Sequence, residues 1–203
     1  MSLFKRKKYS GFTEKTAENL LLDAGAFFVD YDVETDTFET AVTAGKLLGA
    51  TRGGGQFNAT PEIRRIEVDG VSGNAKGLTV IDSWEVKMTA NILEVSKEVI
   101  ARSLTASEID STTNEDYDII KAKNFIELAD YIDKVTFVGT LCGSNGARII
   151  QVYNAINTTG LTLQTQSKNE AVIAMELEGH YDASELDNPP FAIFYPKPVV
   201  PAP

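Results

Sequence analysis

The chain has one histidine, His180, and one cysteine, Cys142, which bounds the covalent and acid–base chemistry open to it. A Ser-His-Asp or Cys-His centre has no other imidazole to draw on. His180 follows an acidic alternating stretch and stands beside Tyr181 and Asp182, the setting of a solvated or hydrogen-bonded strand-end histidine. Cys142 precedes a glycine turn and reads as a small hydrophobe. A lone cysteine closes no intrachain disulfide, and no zinc-ligand set exists. Asp110, Glu115, Asp116 and Asp118 lack the spacing and central glycine of a calcium loop and read as a solvated loop. In Gly49-Ala50-Thr51-Arg52-Gly53-Gly54-Gly55, bare amides suit phosphate cradling, but no Gly-Lys-Ser/Thr follows and a strand pattern begins at Gln56. These glycines therefore read as conformational, permitting a sharp strand start or a close subunit approach. No catalytic residue, metal ligand or cofactor is assigned, and the protein is expected not to be an enzyme.

Composition narrows the partners. The 203 residues include 29 Asp plus Glu against 19 Lys plus Arg, a formal net charge of −10, and four of the bases are gathered in Lys5-Arg6-Lys7-Lys8. A body this acidic repels phosphate, which argues against a nucleic-acid grip. No apolar run approaches the ~20 residues of a bilayer span, and Ser10-Gly11-Phe12-Thr13-Glu14 follows the basic cluster where a secretion signal would be apolar. The expectation is synthesis in a reducing cytoplasm, with no membrane partner.

The elements that would position any site are mostly strands. Trp84, Val86, Met88, Ala90 and Ile92 alternate with Glu85, Lys87, Thr89 and Asn91, the pattern of a half-buried strand. Ala171, Ile173, Met175, Leu177 and Gly179 alternate in the same way with a polar set that includes Glu170, Glu176 and Glu178. Trp84, Val86, Met88, Ile92, Ile173, Met175 and Leu177 are the expected core. Further strands read at 25–31, 56–68, 131–141 and 147–157, with weaker ones at 118–125, 161–165 and 191–195. Asp69-Gly70 and Gly143-Ser144-Asn145-Gly146 are hairpin-type turns, so the strands are expected to pair antiparallel. One helix is expected over Lys97 to Leu104, capped by Ser96 and flanking the core. A helical turn from Thr13 to Leu22 competes with the alternation that follows it.

One domain over 1–203 is expected. Asp32 to Gly55 has no clean period and reads as a long loop, and such loops are usually functional or ordered by a partner. It carries Phe38, Val42, Leu47 and Leu48, with Phe57 just beyond, and these are expected to be covered by another subunit. Residues 1–12 and the proline-rich 196–203 read as terminal arms.

The stretch from Leu47 to Leu104 resembles the major tail tube proteins of long, non-contractile-tailed bacteriophages infecting Gram-positive hosts. The resemblance rests on Gly49-Ala50-Thr51-Arg52-Gly53-Gly54-Gly55-Gln56-Phe57, then Pro61 to Gly70, Lys76-Gly77, and Val80-Ile81-Asp82-Ser83-Trp84-Glu85-Val86. Glu18-Asn19-Leu20 and Asp23-Ala24-Gly25-Ala26 also look like the start of such proteins. The second half matches only in general strand layout. The resemblance implies two packed antiparallel sheets, sandwich- or barrel-like, with a flanking helix. It further implies six copies closing into a ring, rings stacking around a tape measure protein, and tail terminator and distal tail proteins as partners in the virion tail. Double-stranded DNA would pass through without specific binding. Glu85, Lys87, Glu176 and Glu178 are candidate lumen residues, the other possibility being that they face the outer solvent. The rival reading is a monomeric all-β surface- or carbohydrate-binding module, which expects a solvent-facing aromatic cluster.

Overall fold

Within its first sixty-five residues the chain forms two strands and a short helix. The computed structural model describes residues 11, 13, 16, 20–141, 147–165 and 167–197. Strand β1 spans Leu21–Val29, helix α1 Phe38–Thr43, and β2 Thr51–Arg65. Then come β3 (Thr79–Ile92), α2 (Lys97–Ser103), β4 (Ser107–Asp110) and β5 (Ile119–Ala122). The rest is β6 (Ile132–Leu141), β7 (Ala147–Asn157), β8 (Ile173–Glu178) and β9 (Phe191–Phe194). The fold is mainly β, and every ladder is antiparallel.

Seven strands form one large sheet in the order β1-β6-β7-β8-β3-β2, with β9 also on β7, while β4 and β5 make a separate two-stranded sheet. The two layers that enclose the core are thus two halves of one sheet, joined at β7. Residues 149–152 of β7 pair with β9, and Ile156 and Asn157 pair with β8. Asn154, between the two sets, has φ +48°. A left-handed residue there redirects the strand from one layer to the other. Phe27 of β1 lies over Gly55, and Phe191 of β9 packs on Phe57 and Trp84.

The core lies between these halves. Val86, Met88, Ala90, Ile92, Ile173, Met175 and Leu177 are fully buried with Phe27, Val29, Val135 and Val152. Trp84 is only partly buried: it packs at the core margin, its ring 5.5 Å from that of Phe191, while its backbone N–H donates to Tyr181 Oη at 2.8 Å. Helix α2 closes one side. Ser96 Oγ accepts from Val99 N, and Val99 is buried in the core.

Several expected elements take a different form. The segment from Asp32 is no open loop: Thr37 and Thr40 form a reciprocal capping box that starts α1, and Ala41 is buried against Phe28 and Tyr31. Residues 46–48 then run beside β1, with Val29 N donating to Lys46 O and Leu48 N to Phe27 O, both at 2.8 Å. The period of two sends Leu48 into the main core, 2% exposed, and Leu47 into the second cluster with Phe28. Leu48 is therefore a core residue and not a residue of an assembly loop. Gly53 to Gly55 belong to β2. The strand expected at 56–68 ends at Arg65, and Asp69-Gly70 is one turn within a longer connection, 66–78. Residues 161–165 form no strand. The basic cluster, Cys142, the Gly143–Gly146 turn and most of both terminal arms lie outside the described residues.

Candidate functional site

Strands β2, β3 and β8 place one continuous polar face opposite the core. Register fixes its membership: Asn58, Lys87 and Glu178 lie side by side, as do Gln56, Thr89 and Glu176, with Thr60 beside Glu85. The four residues singled out for a lumen are thereby brought together. Lys87 Nζ is 2.8 Å from Glu85 Oε1, 3.5 Å from Glu176 Oε1 and 3.9 Å from Glu178 Oε2. The Glu85 hydrogen bond, with Glu176 and Glu178 behind it, holds the Lys87 ammonium above the ordinary lysine pKa. Three carboxylates around one ammonium leave the cluster net negative, and all four side chains reach solvent. Glu170 lies apart, in an ion pair with Arg52.

The glycine run acts as a backbone device. Gly53 and Gly54 have φ of +78° and +66°, where β2 bulges against β3. A Cβ on Gly55 would sit 2.1 Å from Thr89 O and 2.5 Å from Phe27 Cζ. The close approach is thus made by β3 and β1 of the same chain.

His180 is half-buried and structural in its contacts. Its Nδ1 lies 3.1 Å from Glu178 O and 3.2 Å from Asn154 O, so it donates to carbonyls, and the ring stands edge-on to Tyr131. Asp110 accepts from both threonines of its own loop and from Lys121, contacts that lower its pKa well below the carboxylate range. Among the described residues, no three His, Cys, Asp or Glu converge as metal ligands, and no helix is long and apolar enough to cross a membrane.

Of the residues expected to be covered by another subunit, Phe38 and Val42 are exposed on α1, though Phe38 also stacks edge-on with Phe28. Leu47, Leu48 and Phe57 pack within the chain. A larger uncovered apolar surface lies elsewhere, on the hairpin formed by β2 and β3. Beyond Pro61 and Trp84 both of its strands leave the body of the sheet, exposing Ile63, Ile66, Val68, Val71, Val80 and Ile81. Arg64 and Asp82 clasp the two strands through two hydrogen bonds, so the projection is an ordered arm. Asp69-Gly70, a hairpin-type turn by its residues, is only one bend of this arm. Gly70, Gly73 and Gly77, all at positive φ, were the signal of a longer connection. Comparison with protein-family models and with curated proteins returns no match.

Proposed function

We propose that the protein is a structural subunit of a bacteriophage virion, closing into six-membered rings that stack as the tail tube and conduct the genome. The projecting β2–β3 hairpin is the observation that carries this reading. Six large apolar side chains on an ordered arm remain 36–54% exposed in the isolated molecule, and covering that remaining apolar surface against a neighbour would stabilise an assembly by roughly 25 cal/mol per Å². The resemblance from Leu47 to Leu104 lends support, since that stretch makes up β2, the hairpin, β3 and α2. A polar, net-negative face on the same strands suits a conduit wall that DNA slides past. In this reading the assembly surrounds a tape measure protein, is capped by tail terminator and distal tail proteins, and resides in the virion tail.

Electron microscopy of the purified, concentrated protein tests the proposal, with and without the other tail components. Rings or tubes about one subunit thick around an open passage are expected. Folded protein that stays monomeric in every mixture would overturn the reading and favour a monomeric binding module. Trp84, packed on Phe191, is not free to serve such a module as a stacking platform.

A further inference from the structure

We propose that the gap between the two halves of the sheet, with Arg148 at its mouth, binds a short alkyl carboxylate. The inference is independent of the polymerising role. Among the described residues, Arg148 Nε is the single buried side-chain nitrogen or oxygen without a hydrogen-bond partner, and no ion pair reaches its guanidinium. Buried donors left unpaired are rare enough to need a cause. The head is nonetheless held in place, with Arg148 Cζ 4.5 Å from the centre of the Tyr195 ring. Stacking occupies the face of a guanidinium, while its N–H donors lie at the edge and suit a carboxylate.

An apolar cavity of about 260 Å³ begins one step further in. It lies between Phe27, Phe57, Met88, Phe137 and Ile150, and no residue of its lining is charged. Strand geometry relates the two features. Arg148, Ile150 and Val152 share one face of β7, and Val152 is buried in the core, so Arg148 stands at the outer end of the row that Ile150 continues inward. Gly139, opposite Arg148 on β6, brings no side chain there, whereas Phe137, opposite Ile150, is a wall of the cavity. The volume falls below the ~300–1,000 Å³ that takes a drug-sized ligand, so one short chain fits. Two residues of strand put the Cα atoms of Arg148 and Ile150 about 7 Å apart, which favours an extended chain over a compact ring. With no carboxylate in the lining, the ligand supplies the partner that Arg148 lacks: its anion at the mouth and its alkyl chain inside.

Octanoate, 1-octanol and acetate separate the two contributions. In calorimetric titration of the full chain, octanoate is expected to bind about 10-fold or more tightly than octanol, the worth of a hydrogen bond to a charged group, and acetate is expected not to bind measurably. Arg148→Gln should erase the octanoate advantage and leave octanol binding unchanged. Arg148→Lys, which keeps the charge and loses the planar fork, should retain part of it. Location is read without any variant: with methyl-labelled methionine in nuclear magnetic resonance, octanoate should shift Met88, which lines the cavity, more than Met175 of β8, which does not. Equal affinity for octanoate and octanol, undiminished octanoate binding in Arg148→Gln, or binding that leaves Met88 unmoved would each overturn the proposal. So would a folded wild-type protein that takes up no octanoate, the result expected if water alone satisfies Arg148.

Discussion

Leu47 and Leu48 are neighbours in sequence and occupy opposite faces of the segment beside β1. Leu48→Ser should destabilise the isolated protein by about 2–5 kcal/mol, the range for emptying a buried leucine site, and denaturant unfolding would measure it. An unchanged midpoint would return Leu48 to the surface. Gly55→Ala tests a different constraint, because Thr89 O and the Phe27 ring occupy the space a methyl group needs. A loss of about 1–3 kcal/mol is expected from overpacking. Gly45→Ala is the control: it meets nothing within 4 Å and bears only the cost of its positive φ. Asp110 adds a pH dependence. Its carboxyl is lowered first by the Thr113 hydroxyl and then by Lys121, so its native contacts favour the charged form. That contribution is complete above the unfolded carboxylate pKa and is lost as pH falls toward the lowered native value. Asp36, Asp118, Asp130 and Asp182 are shifted in the same direction. Thermal stability should therefore decline below about pH 4, and the gap between wild type and Asp110→Asn should narrow with it. A gap that stays constant down to pH 2 would show that Asp110 acts through packing alone.

Asn157 joins three elements at the end of β7. Its Nδ2 donates to Ser103 O of α2 at 2.7 Å and its Oδ1 accepts from Glu176 N of β8 at 3.0 Å, in a site 1% exposed. Asn157→Ala leaves a buried carbonyl and a buried N–H unpaired, so a loss of about 2–4 kcal/mol is expected, with α2 the first element to lose hydrogen-exchange protection. The alternation in β3 and β8 made their core face legible from sequence, because a two-residue period leaves only one set of side chains to bury. The α2 cap was equally local: Ser96 and Glu98 act within one turn. Helix α1 was not legible, since six residues rich in Thr and Val give no helical period and its stability comes from Ala41 meeting Phe28 and Tyr31. The partner change in β7 was hidden for a similar reason, as it depends on a single left-handed asparagine and on strands distant in sequence. For the candidate site, register set the polar face, and that was readable. The hairpin arm was not, because Ile63, Ile66, Val68, Val80 and Ile81 are residue types that a buried strand also uses, and only the absence of a covering layer reveals them.

On the scale of the whole molecule, the polar face of β2, β3 and β8 has a defined consequence if it lines a tube. Six copies, each at a formal −10, would carry about −60 per ring, and every Glu85, Lys87, Glu176 and Glu178 would recur six times about one axis. Each cluster holds one ammonium within reach of three carboxylates, so such a wall would present paired charge with an acidic excess. DNA phosphates passing it would meet repulsion, and the one ammonium of each cluster, Lys87, is already held by its neighbouring carboxylates. Glu176→Lys with Glu178→Lys reverses this, putting three cations in one cluster with only Glu85 to balance them. Tubes of this variant should hold DNA, and genome delivery should slow, most at low salt, because cation–phosphate contacts weaken as counterions compete. Glu176→Gln with Glu178→Gln, which removes charge without adding cations, should slow delivery less. The order wild type, Gln variant, Lys variant in ejection rate, converging as salt rises, is the expected result. Equal rates from correctly assembled tubes would place this face on the outer surface, where its charge serves solubility. Cysteine substitution at Thr89, beside Glu176 on the same face, would then report the location directly: a large thiol reagent should label it in the monomer and be excluded after polymerisation only if the face is luminal.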